Sequence, residues 1–152
     1  MAVEHVRYGA AGWGVGELWL ENGVLVWHEL PRPAAGSGFP RHPLAERMAA
    51  YFEGERVDFT DVPLDLEWCT PFQRAVADSL RRIRYGETVS YGELAALAGY
   101  PNAQRAAGSF CARNRTPLVV PCHRVVAAGG LGSYGSLGLA YKRRLLALED
   151  AL

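Results

Sequence analysis

Apolar residues change their spacing midway along this chain. In the first half they fall in short runs: Leu18-Trp19-Leu20 and Val24-Leu25-Val26-Trp27 flank Glu21-Asn22-Gly23, and an Asn-Gly pair between two such runs predicts a β-hairpin with a tight turn. Pro31 to Pro40, with Pro33, Gly36 and Gly38 between them, predicts a loop. Leu44, Met48, Tyr51 and Phe52 then recur at helical spacing, so a helix lying on that sheet is expected. Val62-Pro63-Leu64-Asp65-Leu66 suits a strand or a linker. The boundary is placed there, giving a sheet-and-helix domain over 1–66 and a second domain over 67–152.

After that boundary the period is helical. Thr70-Pro71-Phe72-Gln73 places an N-cap, a proline at the first helical position and a glutamine three residues after the cap, followed by the stripe Phe72, Val76, Leu80, Ile83. Ser90-Tyr91-Gly92-Glu93 is a second capping box, opening a short helix that stops at Gly99-Tyr100-Pro101. Asn102 is the expected cap of the next helix, through Ala103 to Ser109. Two short helices about a glycine-containing turn make a helix-turn-helix pattern. A glycine-rich loop from Gly129 to Gly138 precedes a last helix from about Leu139 to Glu149.

Composition narrows the class of protein. Apolar residues are 49% and charged residues 21% of the 152, as in ordinary globular domains. No run approaches the ~18 apolar residues of a membrane span, and the N-terminus lacks a secretory layout, so a cytoplasmic protein with no membrane role is expected. Cys69, Cys111 and Cys122 are odd in number and have no zinc-like spacing, which predicts neither a disulfide framework nor a bound metal. The net charge of zero hides an asymmetry, because residues 1–66 carry 5 Lys and Arg against 10 Asp and Glu while residues 67–152 carry 11 against 6. The basic half is a candidate surface for a polyanion.

Candidate chemistry lies in Pro121-Cys122-His123-Arg124-Val125. Adjacent side chains on an extended segment point to opposite faces, so His123 could serve Cys122 only through a bend or a bridging water. Alone the pair is a weak signal. Its setting strengthens it: Asn114 eight residues upstream, the helix-turn-helix before that, and Glu149 in Lys142-Arg143-Arg144-Leu145-Leu146-Ala147-Leu148-Glu149. These elements in this order resemble the O6-alkylguanine-DNA alkyltransferases, closely from about Thr70 to Asp150 and loosely before.

The resemblance implies an α/β protein: a ribonuclease H-like N-terminal domain and a helical C-terminal domain with winged-helix-like DNA binding. It implies Cys122 as alkyl acceptor, His123 as the base acting through water, Glu149 as the acid that orients it, Asn114 as the residue holding the turn before the active-site strand, and Tyr91 as proton donor to the leaving guanine. A thiol of ordinary pKa, about 8.5, is mostly protonated at neutral pH and needs such a base.

It also implies that Arg105 enters the duplex where a nucleotide has been flipped out, on a helix kept thin by Ala103, Ala106, Ala107 and Gly108 for minor-groove approach; helix packing by the same small residues is the competing use. Arg124 joins the DNA-contacting set. Tyr134 and Ser136, in Gly132-Ser133-Tyr134-Gly135-Ser136-Leu137-Gly138, form the guanine-pocket wall with Tyr91, although this loop is one residue longer after Tyr134 than the family pattern. Cys69 and Cys111 are taken as structural.

The expected protein is a monomer that moves an alkyl group from O6 of guanine, and O4 of thymine, in double-stranded DNA to Cys122, without a cofactor and once per molecule. Three alternatives differ in what they need. A non-catalytic alkylated-base sensor of the alkyltransferase-like kind would carry another residue at 122. A helix-turn-helix regulator would need neither Pro121 to Arg124 nor Glu149, and a cysteine hydrolase would turn over.

Overall fold

The computed structural model describes residues 2–152. Three antiparallel strands, β1 (Val3–Ala10), β2 (Gly14–Glu21) and β3 (Val24–Arg32), lie in the order β1-β2-β3. The β2–β3 connection is the expected Asn-Gly turn: Asn22 and Gly23 have φ of 52° and 81°, and Glu21 faces Val24, the left-handed pair a tight hairpin requires. The sequence pattern did not single out β1, because only Val6, Tyr8 and Ala10 turn inward while polar residues alternate between them. Gly16 is dictated by that strand, since a Cβ there would lie 2.2 Å from the Tyr8 ring.

Helix α1 (Pro43–Phe52) packs against β1 and buries Met48, Tyr51 and Phe52. Its cap is His42, whose ring accepts from the Leu44 backbone. The segment over 62–66 is neither a full strand nor a free linker: Leu64 makes one parallel bridge to Leu25, with Leu25 N–H donating to the Pro63 carbonyl.

By contacts the chain divides into two compact units, residues 1–65 with 115–117, and residues 66–114 with 118–152. The short return of 115–117 to the first unit is held by His28. Its backbone N–H donates to the Arg115 carbonyl at 2.9 Å, and its Nδ1 lies 2.7 Å from the Pro117 carbonyl. A carbonyl only accepts, so Nδ1 carries the proton and Nε2 accepts from the Tyr8 hydroxyl at 2.7 Å.

Burial is the main reason that the His28 pKa falls to about 4, against a smaller opposing effect of the Pro117 hydrogen bond. Above pH ~6.5 neither the folded nor the unfolded chain protonates this ring; between that value and about 4 only the unfolded chain does. Stability is therefore expected to fall by on the order of 3 kcal/mol as pH drops through that window. Urea titrations from pH 7 to 4 check this, and His28→Gln should flatten the slope by about one proton; parallel slopes would show that His28 does not set it.

The second unit opens with α2 (Pro71–Arg81), where Thr70 and Gln73 close the expected capping box. Ser90 and Glu93 do the same for α3 (Tyr91–Leu97), and α4 (Gln104–Ala112) follows. Asn102 does not cap α4: it sits in the left-handed region with φ of 72°, and Ala103 takes the cap position with no side-chain bond. The tight turn after Pro101 uses the asparagine for its backbone conformation instead. A two-residue parallel ladder pairs β4 (Val89–Ser90) with β5 (Val125–Val126), and α5 (Gly138–Leu148) closes the chain. Among the described residues no helix is long and apolar enough to cross a membrane, and no group of three or more His, Cys, Asp or Glu side chains is placed to hold a metal ion.

Candidate active site

The Pro121–Val125 segment is not extended. Residues 122–124 form one turn of 3-10 helix, with Arg124 N–H donating to the Pro121 carbonyl, and this turn separates the side chains of Cys122 and His123. Cys122 lines a small cleft together with Tyr91, Gly108, Cys111, Ala112, Ser133, Tyr134 and Gly135. His123 is fully buried and meets Glu149.

Asn114, in the turn after α4, sends its amide Nδ2 to the Val120 carbonyl at 2.7 Å and to Cys122 Sγ at 3.1 Å. One side chain thus fixes both the residue before the turn and the thiol itself. Burial pushes the Cys122 thiol up, opposed by the Asn114 hydrogen bond and the Lys142 charge. At rest the sulfur is a protonated thiol with a donor already aimed at the charge it would acquire.

The His123 ring has a defined tautomer. Nε2 lies 2.6 Å from Glu149 Oε2, and a carboxylate accepts, so the proton sits on Nε2 and Nδ1 presents a lone pair. Among the described residues no group bonds Nδ1. Burial, first, holds the His123 pKa below its ordinary value despite the carboxylate, so the ring is neutral and able to accept a proton.

Glu149 is the hub of this arrangement. Burial alone would favour its protonated form, but the hydrogen bond and charge of His123 and those of Arg124 outweigh that and hold it well below the usual carboxylate range. Arg124 grips it with two bonds, Nε to Oε1 at 2.9 Å and Nη2 to Oε2 at 3.0 Å, and its third nitrogen donates to the Ile83 carbonyl. The Gly86 N–H completes the set at 3.0 Å.

This corrects the expectation for Arg124. A basic residue beside the cysteine looks like a phosphate contact in sequence, but here the guanidinium is buried and spent on Glu149. Ala107 is also corrected: it is fully buried and packs inward rather than toward a ligand. Ala106 and Arg105 are exposed on the outer side of α4, Ala103 is half-buried at its start, and Gly108 faces the Tyr91 ring at the cleft. Small residues therefore serve packing on one side of α4 and leave the other side low. Ser136 lies outside the cleft lining, exposed in a 3-10 turn over 135–137, and Ser133 and Gly135 flank Tyr134 there instead.

Tyr91 stands at the cleft with its ring close to residue 132. A Cβ at Gly132 would sit 3.0 Å from that ring at a φ of 82°, so only glycine fits. Burial foremost raises the Tyr91 pKa, with hydrogen bonds to Ser133 acting in the opposite direction, which keeps the hydroxyl a proton donor.

Lys142 belongs to the site although its sequence position suggested nothing beyond register. It is fully buried, and its ammonium donates to the carbonyls of Val125 at 2.5 Å and Ser133 at 3.2 Å. It ties the strand after the cysteine to the loop over the cleft and places a positive charge that favours a Cys122 thiolate. A lysine three and four residues before Leu145 and Leu146, and so on their side of the helix, was the available signal.

Residues 71–151 match the family model described as 6-O-methylguanine DNA methyltransferase, DNA binding domain. The chain belongs to this family. Among its relatives, a methylated-DNA–protein-cysteine methyltransferase from Mycolicibacterium paratuberculosis is 48% identical over 81% of this chain and 69% of that protein. One from Methanopyrus kandleri is 46% identical over 73% of this chain and 82% of that protein. The crystal structure of Mycobacterium tuberculosis O6-methylguanine methyltransferase superposes with a TM-score of 0.82 at 34% identity, covering 99% of this chain and 94% of that one. Mycobacterium tuberculosis OGT in complex with DNA gives 0.79 at 36% identity over 97% and 92%. The family match covers the helices that build the cleft, and the structural matches extend over the sheet unit as well.

Proposed function

We propose that the protein repairs DNA by moving the alkyl group of O6-alkylguanine, and of O4-alkylthymine, irreversibly onto Cys122. The observation that carries this is a thiol that lines a cleft and is held by Asn114, next in sequence to an imidazole whose Nε2–H is fixed by a buried carboxylate and whose Nδ1 has no bonding partner among the described residues. Relatives sharing 46–48% of residues are named methylated-DNA–protein-cysteine methyltransferases, which fits that chemistry.

In this reading His123 Nδ1 takes the Cys122 proton through one water, and Glu149 stabilises the imidazolium that results. The thiolate, favoured by Lys142 and Asn114, attacks the sp3 carbon on O6. The C–O bond breaks, its electrons return to the guanine, and the Tyr91 hydroxyl supplies a proton to the departing base. The imidazolium restores the Tyr91 proton. Cys122 is left as a thioether, which has no group to expel and so ends the protein's activity after one transfer.

A sulfur at the bottom of a cleft cannot reach O6 within a stacked duplex, so the base must leave the helix. We assign α3 and α4 to the DNA, as the helix-turn-helix of a winged-helix-like domain over 67–152, and the sheet with α1 over 1–66 to a ribonuclease H-like domain. In this reading Arg105 fills the gap, which its exposure on α4 supports. Duplex DNA carrying methyl-labelled O6-methylguanine should transfer one label per molecule to the peptide containing Cys122; label released to solvent, or found on Cys69 or Cys111, overturns the assignment.

Arg105→Ala is expected to slow transfer from saturating duplex on the order of tenfold or more relative to transfer from free O6-methylguanine, since unstacking costs a few kcal/mol. Single-turnover rates at one salt concentration give the ratio. A ratio equal to wild type would make Arg105 an electrostatic contact only.

A further inference from the structure

Cys111 is a thiol that the transfer reaction leaves unused. It lies in the last turn of α4, and its side chain lines the same cleft as Cys122. One residue joins the two: the Asn114 backbone N–H donates to the Cys111 carbonyl at 3.3 Å while its Nδ2 reaches Cys122 Sγ at 3.1 Å. The third cysteine, Cys69, is not part of the lining. Each cleft cysteine sits at an end of a short helical segment, one in the last turn of α4 and the other opening a 3-10 turn, and the other α4 residues in the cleft lining, Gly108 and Ala112, are small.

Burial first, and then the negative charge at Cys122, push the Cys111 thiol up. While Cys122 is a thiolate, Cys111 therefore stays protonated and does not compete for the alkyl group. Neutralising the charge on Cys122 removes the second of those effects. Oxidation to a sulfenic acid does so.

We propose that Cys111 is a resolving thiol for Cys122: peroxide converts the pair to a disulfide, which shuts off transfer reversibly and spares the acceptor from irreversible oxidation. This rests on Cys122 being the reactive thiol of the transfer reaction. In the first step the Cys122 thiolate attacks one oxygen of hydrogen peroxide, the O–O bond breaks, and the second oxygen leaves as hydroxide, so sulfur is oxidised to S–OH and peroxide reduced. In the second, the Cys111 sulfur attacks Cys122 Sγ, the S–O bond breaks, and the departing hydroxide takes the Cys111 proton to form water. The products are one disulfide and two waters after proton balance. A small-molecule dithiol reverses it by exchange.

The test uses the full chain treated with hydrogen peroxide, then blocked with an alkylating reagent and digested without reductant. Wild type should lose two hydrogens, yield a peptide pair linked through Cys111 and Cys122, lose transfer, and regain it on adding dithiothreitol. Cys111→Ser, compared with its own untreated sample, should instead accumulate sulfinic and sulfonic acid at Cys122 and recover several-fold less activity with dithiothreitol. Cys69→Ser should behave as wild type. Absence of the 111–122 peptide, a link through Cys69, or full recovery by Cys111→Ser would overturn the proposal. The labelled-methyl experiment on untreated protein reports the acceptor independently, so failure here is distinguishable from failure of that reading.

Discussion

Cys122→Ser is expected to reduce methyl transfer below detection while DNA affinity stays as in wild type. A serine hydroxyl fits the space of the thiol and accepts from Asn114, but its proton is far too tightly held for a neutral histidine to remove, and oxygen is the poorer nucleophile toward carbon. Loss of transfer measured with labelled O6-methylguanine DNA, beside an unchanged binding isotherm on the same duplex, separates chemistry from recognition. Transfer by the serine variant at even a modest fraction of wild type would require a different acceptor. His123→Ala provides the gradation, because a thiol that lacks its base still ionises as pH rises, so the deficit should shrink in alkaline solution.

Glu149→Ala is expected to damage stability as well as chemistry. The carboxylate is buried and receives bonds from His123, Arg124 and the Gly86 backbone. Removing it strands a buried guanidinium, and breaking one side of such a pair costs about 3–5 kcal/mol. The urea midpoint should fall accordingly and the transfer rate with it, since His123 loses the group that sets its tautomer. Glu149→Gln tests the charge, because it keeps the size and one acceptor oxygen while leaving Arg124 without a counter-ion. An alanine variant as stable as wild type would mean that Arg124 finds water when the acid is gone.

Local signals were readable and distant partnerships were not. Thr70 with Gln73 and Ser90 with Glu93 lie three residues apart, so the capping boxes declare themselves in the sequence, and the Asn22-Gly23 turn is equally local. Cys122, His123, Asn114 and Glu149 could be picked out through the resemblance to a known pattern, and the fold then brings each into bonding contact with at least one other. Arg124 was misplaced because its acid stands 25 residues away, and nothing in Cys-His-Arg says which way the arginine turns. The partners of Lys142 are backbone carbonyls, which carry no sequence signature at all. Pairing of Val89-Ser90 with Val125-Val126 rests on two residues per strand, too short for any periodicity to emerge.

The hub at Glu149 also fixes an order in time. His123 precedes its carboxylate by 26 residues, and Gly86 and Arg124 wait on the same side chain. A chain still being synthesised thus carries its cysteine before it carries the means to activate it. Until Glu149 docks, Arg124 and His123 lack the anion that orders them, and the thiol has no positioned base. Since each molecule can react only once, its single assisted transfer is confined to chains whose C-terminal carboxylate has already reached His123 and Arg124.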